Sequence, residues 1–366
     1  MVNQEILQET PEMVLSRMLK TEHEQVVFCH DKHTGLKAII GIHNTVLGPA
    51  LGGTRMWNYA TEEEALVDVL RLSRGMTYKS AVSGLNLGGG KAVIIGDSKT
   101  QKNEVLMRRF GKFVDSLAGK YITAEDVGMS PKDMEYIAME TDYVVGKPKY
   151  MGGTGDPSPV TAYGVYMGMK AAAKEAFGTD SLAGKSIMVQ GAGHVGANLV
   201  DLLMKENAVV YISDIDEEKI KAITQKHPSV KVVPAENVYD TPTDIYAPCA
   251  LGATINDETL SKLKCAVIAG AANNQLADEK IHGEKVMEMG IIYAPDYLIN
   301  AGGVINCYTE VQGLEQDYAI ALTENIYNTT LEVIKRSKNE NIPTYLIANQ
   351  MAEERIAAVA KLNSSL

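Results

Sequence analysis

The sequence predicts an α/β protein of two domains, an N-terminal α+β domain followed by a doubly wound parallel sheet. Three observations carry this prediction. At 366 residues the chain is longer than one ordinary core organises. From Ser186 onward, short apolar runs alternate with helical patterns, the rhythm of strands joined by crossover helices. Between the halves lies GKPKYMGGTGDPSPVTAYG, dense in Gly, Pro and Ser, which marks a hinge.

In the first half, QVVFCHD and LKAIIGIHNTVLG read as strands, rich in β-branched residues and separated by a His-Thr-Gly turn. ATEEEALVDVLRLSRGMTYKSAVSG reads as a helix, because Ala65, Leu66, Val69, Leu70, Leu72 and Met76 recur at helical spacing. The acidic run TEEEA starts it, where the helix dipole favours negative charge. KAVIIGD is a buried strand beginning at Lys91, and a further helix and KYITAEDVGMS complete this half. In the second half the strands are SIMVQGAG, VVYISDID, KVVP, DIYAPCA, CAVIAGAAN and IIYAPDYLINAGG. From about Asn341 the tail resumes a helix, expected to return to the first domain. The predicted domains are thus 1–145 with 341–366, and 146–340.

Composition excludes several functions. The formal charge is −11 with no long basic run, which argues against a nucleic-acid surface and against attraction to an anionic membrane. Apolar residues make up 45% and mean hydropathy is −0.09, as in a soluble globular protein. Cys29, Cys249, Cys265 and Cys307 lie far apart without CxxC spacing, so neither disulfides nor structural zinc are expected and a reducing cytoplasm is the natural setting. The opening MVNQEILQETPEMVLSRMLK lacks the apolar centre of a secretory signal, and no apolar run approaches the roughly eighteen residues of a membrane span. The sequons at Asn328 and Asn363 are therefore read as coincidence. His23, His30, His33 and His43 lack metal-ligand spacing, and the 17 Met residues read as core filler.

The strongest local motif is SIMVQGAGHVGANLV, in which an apolar strand runs into Gly191-Ala192-Gly193-His194-Val195-Gly196 and then a helix. Gly191 permits the tight turn, Gly193 lets the backbone approach a pyrophosphate, and Gly196 lets helix and strand pack closely. The next strand ends in Asp214, whose carboxylate accepts ribose hydroxyls and repels a 2′-phosphate. The expected cofactor is NAD rather than NADP, on a Rossmann-type domain.

A second motif, GMTYKSAVSGLNLGGGKAVIIGD, carries Lys79 and Lys91. A P-loop needs Ser or Thr after its lysine and then a helix. Here Ala92 and a strand follow, so a phosphate role fails on context. Two readings stay open. One makes both ordinary surface lysines. The other makes them a functional pair: the glycines admit substrate beside a partly buried Lys91, burial or a nearby cation favours its neutral, basic form, and Lys79 stays charged to bind a carboxylate.

The blocks LGGTRM, MTYKSAVSGLNLGGGKAVIIGD, YITAEDVG, DPSPVTAYGV, IYAPCALGATIN, IAGAANNQL and APDYLINAGGVIN occur in this order. Through them the chain resembles the glutamate/leucine/phenylalanine/valine dehydrogenases, essentially end to end. The resemblance implies that Lys79 holds the substrate carboxylate and that Lys91 and Asp126 are the catalytic lysine and aspartate. It places Gly52 and Asn274 near the α-amino-acid end of the substrate, with Asn273 and Thr161 on the cofactor. It further implies a cleft between the domains, oxidative deamination of an L-amino acid to a 2-oxo acid and ammonia, no metal, and a homo-oligomer (octamer or hexamer).

Substrate choice follows from the side-chain pocket, for which the resemblance implies Leu51, Ala124, Val304 and Cys307, with Met76 a further substrate-binding residue. Ala124 and Val304 match an aliphatic-specific pattern and point to leucine, valine and isoleucine. Phenylalanine or another apolar amino acid is the alternative within this chemistry, and a non-catalytic NAD-binding sensor the alternative outside it. Three positions depart from the family pattern: Cys307 stands for an expected valine, His194 for asparagine in the glycine turn, and Asp156 for asparagine in DPSPV.

Overall fold

The computed structural model describes residues 13–364. The start of the N-terminal segment discussed above and the end of the sequon at Asn363 lie outside the described residues. The chain forms two compact units: residues up to Thr77 with Gly88–Val144, and Tyr78–Leu87 with Val145–Leu366.

The first unit contains α1 (Val14–Thr21), β1 (Gln25–Asp31), β2 (Leu36–Asn44), β3 (Ala50–Trp57), most of α2 (Glu62–Val82), β4 (Gly88–Ile95), α3 (Glu104–Asp115), β5 (Tyr121–Glu125) and α4 (Pro131–Ala138). Its sheet runs β1-β2-β4-β3-β5, with β2 antiparallel to both β1 and β4, and β3 parallel to both β4 and β5. Alternation along the strands builds a core on each face. Ile40, Ala92, Ile94 and Tyr121 pack with Met107, Phe110 and Val114 of α3 and Met134 and Ile137 of α4. Ile39 and Val93 pack with Leu66, Val69 and Leu70 of α2. The acidic residues Glu62, Glu63 and Glu64 do form the first turn of α2.

Two features of this sheet differ from expectation. The strand carrying Lys91 begins three residues earlier, at Gly88. The segment ALGGTRMW, not recognised as a strand, is β3, near the middle of the sheet. Two adjacent glycines dilute its β-branched signature, and burial between two partners supplies what propensity lacks.

The second unit contains α5 (Ser158–Phe177), β6 (Ser186–Gln190), α6 (His194–Lys205), β7 (Val209–Ser213), α7 (Glu217–Lys226), β8 (Lys231–Val232), β9 (Ile245–Pro248), α8 (Asp257–Leu260), β10 (Val267–Ile268), α9 (Glu279–Glu288) and β11 (Ile292–Tyr293). It closes with α10 (Asp296–Ile299), α11 (Gly302–Gln312), α12 (Gln316–Glu324), α13 (Ile326–Glu340) and α14 (Thr344–Ser364). All six expected strands are present, all parallel, in the order β11-β10-β9-β6-β7-β8. The chain leaves β6 toward β8 and then crosses to β9, so the order reverses between β6 and β9, where such sheets bind ligands. Helix α14 holds the segment that follows Tyr78. The Tyr78 hydroxyl donates to Glu353 at 2.7 Å, and Arg355 donates to the carbonyls of Ala81, Gly84 and Leu85.

Candidate active site

In the first unit, Lys91 lies inside β4 and Asp126 directly follows β5. Register sets Gly41 beside Lys91 and Gly53 beside Ala124. By alternation Lys91 shares a face with Val93, the face on which α2 packs. Lys91 is only 7% exposed, and its Nζ lies 2.6 Å from Asp126 Oδ2. Arg55 of β3 reaches the same oxygen through Nε at 3.2 Å. Its Nη1 donates to Asp68 Oδ2 of α2 at 2.9 Å, and the Tyr59 hydroxyl donates to that Asp68 oxygen at 2.7 Å. Burial by itself would push the Asp126 carboxyl up. The charges of Lys91 and Arg55, with hydrogen bonds from Lys91 and the Val127 N–H, outweigh it and hold the group below the ordinary carboxylate range.

The residues around this pair are small or apolar. Leu51 and Ala124 are buried on the adjoining strands, and Met76 of α2 lies against the Gly52 backbone, 3.3 Å from where a Cβ would stand. The glycine triplet before Lys91 has a different purpose from the one expected. A Cβ on Gly89 would stand 2.1 Å from Thr77 N, and one on Gly90 would stand 2.7 Å from the Tyr121 ring. These glycines let helix α2 and strand β5 close on β4. They do not open space for substrate.

In the second unit, Lys79 Nζ lies 3.4 Å from Asn273 Oδ1, which also accepts from Asn300 Nδ2 at 2.8 Å. Asp296 is buried nearby. Burial pushes its carboxyl up, against the backbone N–H of Gln275 and the charge of Lys79. Asn274 occupies the left-handed region at φ 53°, which turns the chain there. Val304 and Cys307 lie three residues apart on α11, and so on one side of it. The start of α11 packs tightly on the start of α5: a Cβ on Gly302 would stand 2.2 Å from Val160 O, and one on Gly303 3.3 Å from Thr161 Oγ1. Thr161 is thereby brought against the start of the helix that carries Val304 and Cys307.

The glycine turn joins β6 to α6 at the point where strand order reverses. Gly191 has φ 118°, and a Cβ there would stand 2.8 Å from Ala250 N. A Cβ on Gly196 would stand 2.0 Å from Gly191 O, so helix and turn close on each other. Around Gly193, the residue capping α6, nothing lies within 4 Å of the Cβ position. Its bare backbone faces open space at the positive end of a helix, with Val195 in the first turn, and this fits a dinucleotide phosphate. Asp214 at the end of β7 accepts from Ala192 N at 2.6 Å and Asp216 N at 2.9 Å. It lines a cavity of about 390 Å³ whose apolar walls include Ile220, Val233 and Pro234 and whose rim carries Glu217 and Lys221 beside Asp214, a mixture of apolar and polar surface that an adenosine moiety could use. His194, 83% exposed at its side chain, lies beside Asp156.

Residues 23–143 match the family described as Glu/Leu/Phe/Val dehydrogenase, dimerisation domain, and residues 152–363 match Glutamate/Leucine/Phenylalanine/Valine dehydrogenase. The chain belongs to this dehydrogenase family. It is 55% identical over 352 residues to leucine dehydrogenase of Thermoactinomyces intermedius, covering 96% of each chain. It is 47% identical over 348 residues to phenylalanine dehydrogenase of Caldalkalibacillus thermarum, covering 94% of each. Among solved structures, L-tryptophan dehydrogenase from Nostoc punctiforme superposes with a TM-score of 0.85 at 42% identity, over 95% of this chain and 100% of that one. The two-domain α/β fold and the amino-acid dehydrogenase class follow, with a nicotinamide dinucleotide as cofactor.

Sequence reasoning missed three residues of this dehydrogenase that touch the expected site: Arg55, Asp296 and Asn300. Arg55 stands in the LGGTRM block and Asn300 and Asp296 in APDYLINAGG, so both blocks signalled their neighbourhood without assigning them. His23 and His43, read as uninvolved, are buried under α2. His23 Nε2 pairs with Ser73 Oγ at 2.7 Å and His43 Nδ1 with Thr77 Oγ1 at 2.9 Å. Among the described residues no cluster of three His, Cys, Asp or Glu could hold a metal, and no helix is long and apolar enough to cross a membrane. None of the four cysteines forms a disulfide.

Proposed function

We propose that this dehydrogenase catalyses the reversible, NAD-dependent oxidative deamination of branched-chain L-amino acids to 2-oxo acids and ammonia. The carrying observation is the contact of Lys91 Nζ with Asp126 Oδ2 at 2.6 Å, a buried amine and carboxylate able to exchange a proton. A bound nicotinamide supplies the acceptor for the hydride that leaves the substrate Cα. Lys79 holds the substrate carboxylate as a fixed cation, steadied by Asn273 Oδ1. Lys91, once it has passed its proton on, takes one from the water that attacks the imine carbon. Asp126 gives a proton to the nitrogen of the resulting carbinolamine, the C–N bond breaks as the hydroxyl proton passes back to the Asp126 carboxylate, and ammonia leaves the 2-oxo acid.

Several features support NAD and an aliphatic substrate. The Asp214 carboxylate at the end of β7 disfavours a 2′-phosphate. Leu51, Ala124 and Val304 are apolar, with no basic group for a second substrate carboxylate, and the higher identity is to a leucine rather than a phenylalanine dehydrogenase. We assign substrate chemistry to 1–145 with 341–366 and dinucleotide binding to 146–340, in a cytoplasmic homo-oligomer. β1 is a sheet edge with an exposed Phe28, consistent with assembly through that domain.

The test mixes the purified protein with NAD and, separately, L-leucine, L-valine, L-isoleucine, L-phenylalanine and L-glutamate, and follows NADH. Rapid reduction with the branched-chain substrates, lost in Lys91→Ala while NAD binding persists, is the expected result. Faster reduction with phenylalanine would overturn the substrate assignment. NAD binding without turnover on any of the five would make the protein a sensor.

A further inference from the structure

Asp126 presents two oxygens, and the structure treats them unequally. Lys91 Nζ and Arg55 Nε both converge on Oδ2, so among the described residues both side-chain cations sit on one oxygen, and the carboxylate's further donor is the backbone N–H of Val127. Arg55 is itself held. Its Nη1 is bonded to Asp68 Oδ2 at 2.9 Å, and Asp68 is tied down by the Tyr59 hydroxyl at 2.7 Å and by Arg71 Nη2 at 3.0 Å. One guanidinium thus bridges two carboxylates from different elements, β3 serving α2 on one side and the end of β5 on the other. A planar fork with donors in divergent directions holds the two carboxylates at fixed angles, whereas a lysine ammonium offers the same charge from a single, freely rotating point.

We infer that Arg55 is a positioning residue for the deamination chemistry, fixing Asp126 Oδ2 against Lys91 so that Oδ1 is the oxygen that exchanges protons with the substrate nitrogen. The inference rests on the functional reading above and goes beyond it by naming the anchor and the reacting oxygen. Arg55 touches neither reacting atom; it acts through Asp126. Its positive charge also favours the ionised carboxylate, setting the lower edge of the pH range in which Asp126 can take up a proton.

The other charged and titratable groups facing Asp126 do not replace Arg55. From β4 comes Lys91. From β5 comes Tyr121, whose phenol is fully buried, pushed up by that burial, and bonded to Gly52 O at 2.6 Å. The neighbouring Glu125 is exposed. From α2 come Asp68 and Arg71, which reach Asp126 only by way of Arg55. Arg55 also lines a cavity of about 550 Å³ with Trp57, Tyr59, Val67 and Val127, wide enough to admit a small cation from solvent.

The experiment compares wild type, Arg55→Met, Arg55→Lys and Arg55→Ala with L-leucine and NAD from pH 5 to 11, alongside a thermal melt of each. Expected for Arg55→Met is a fall in kcat of about tenfold to a hundredfold with KM for leucine nearly unchanged. The acid limb of its kcat profile should move up by about one pH unit, because a cation has gone. Arg55→Lys should keep more of the acid limb than of kcat, since charge survives and the fork does not. Guanidinium added to Arg55→Ala should restore kcat. A folded Arg55→Met with wild-type kcat and acid limb overturns the inference. Should Arg55→Met fail to fold, Asp68→Asn, which loosens Arg55 without removing it, must lower kcat with KM held; unchanged kcat there overturns it equally. Wild type without turnover on any amino acid would instead sink the functional reading, an outcome separate from all of these.

Discussion

His194 Nδ1 lies 3.7 Å from Asp156 Oδ2. One residue opens the first turn of α6 and the other precedes α5, where its Oδ1 accepts from Ser158 N at 2.9 Å. The two departures from the family pattern outside the substrate pocket are thus neighbours. An aspartate adds negative charge beside the turn proposed to hold phosphates. Asp156→Asn should therefore bind NAD more tightly, by up to about fivefold at low salt, with the gain fading as salt screens it. Isothermal titration at two ionic strengths checks this; unchanged or weaker binding would deny the pair any influence on the phosphates.

Ala124 contributes one methyl to the buried end of β5, paired across to Gly53. Removing it widens the proposed side-chain pocket without adding a polar group. Ala124→Gly should raise kcat/KM for phenylalanine relative to leucine by about tenfold, within what one methyl can discriminate. A ratio that stays put would place the side-chain pocket elsewhere.

Asp214 accepts one backbone N–H on each of its oxygens. Asp214→Asn keeps the shape and one of the two acceptors but drops the charge. The ratio of kcat/KM for NADP over NAD should rise by roughly tenfold, through loss of repulsion toward a 2′-phosphate. Equal loss with both cofactors would mean that the carboxylate only shapes the turn.

The two histidines beneath α2 make a prediction about stability. Burial, the largest cause, drives His23 down to about 4 and His43 to about 3, from 6.5 in an unfolded chain. Below pH 6.5 the unfolded chain therefore binds protons that the folded chain refuses. Stability contributed by the pair is complete above that pH and is lost as pH falls toward the folded values. In urea titrations the slope of stability against pH near pH 5 should drop by up to about 1.4 kcal/mol per pH unit in His43→Gln compared with wild type. Parallel slopes would show that His43 does not titrate on unfolding.

Much of this protein is legible along the chain because its signals are local. The six parallel strands announce themselves by short apolar runs. The glycine turn is recognised because a strand, a turn and a helix adjoin within fifteen residues, Ser186 to Val200. Helix α2 is visible in its period and its acidic first turn. β3 escaped notice because its glycines carry no strand preference. The start of β4 was placed late for the same reason, since Gly88 to Gly90 pair as strand only where neighbours press against them.

The sequence by itself determined the α/β class and the glycine turn between β6 and α6, since each depends on residue types at short spacing, while the proposed acid–base pair of Lys91 and Asp126 came from the resemblance of whole sequence blocks. Only the tertiary structure decided which groups surround them. Arg55 and Asp126 are 71 residues apart and meet because β3 and β5 are parallel neighbours. The triplet beside Lys91 proved to be a packing device because a helix and a tyrosine occupy the space a side chain would need. His194 and Asp156 pair because α5 and α6 begin side by side. No periodicity encodes these contacts; they exist only once distant segments are packed to the density of a protein interior.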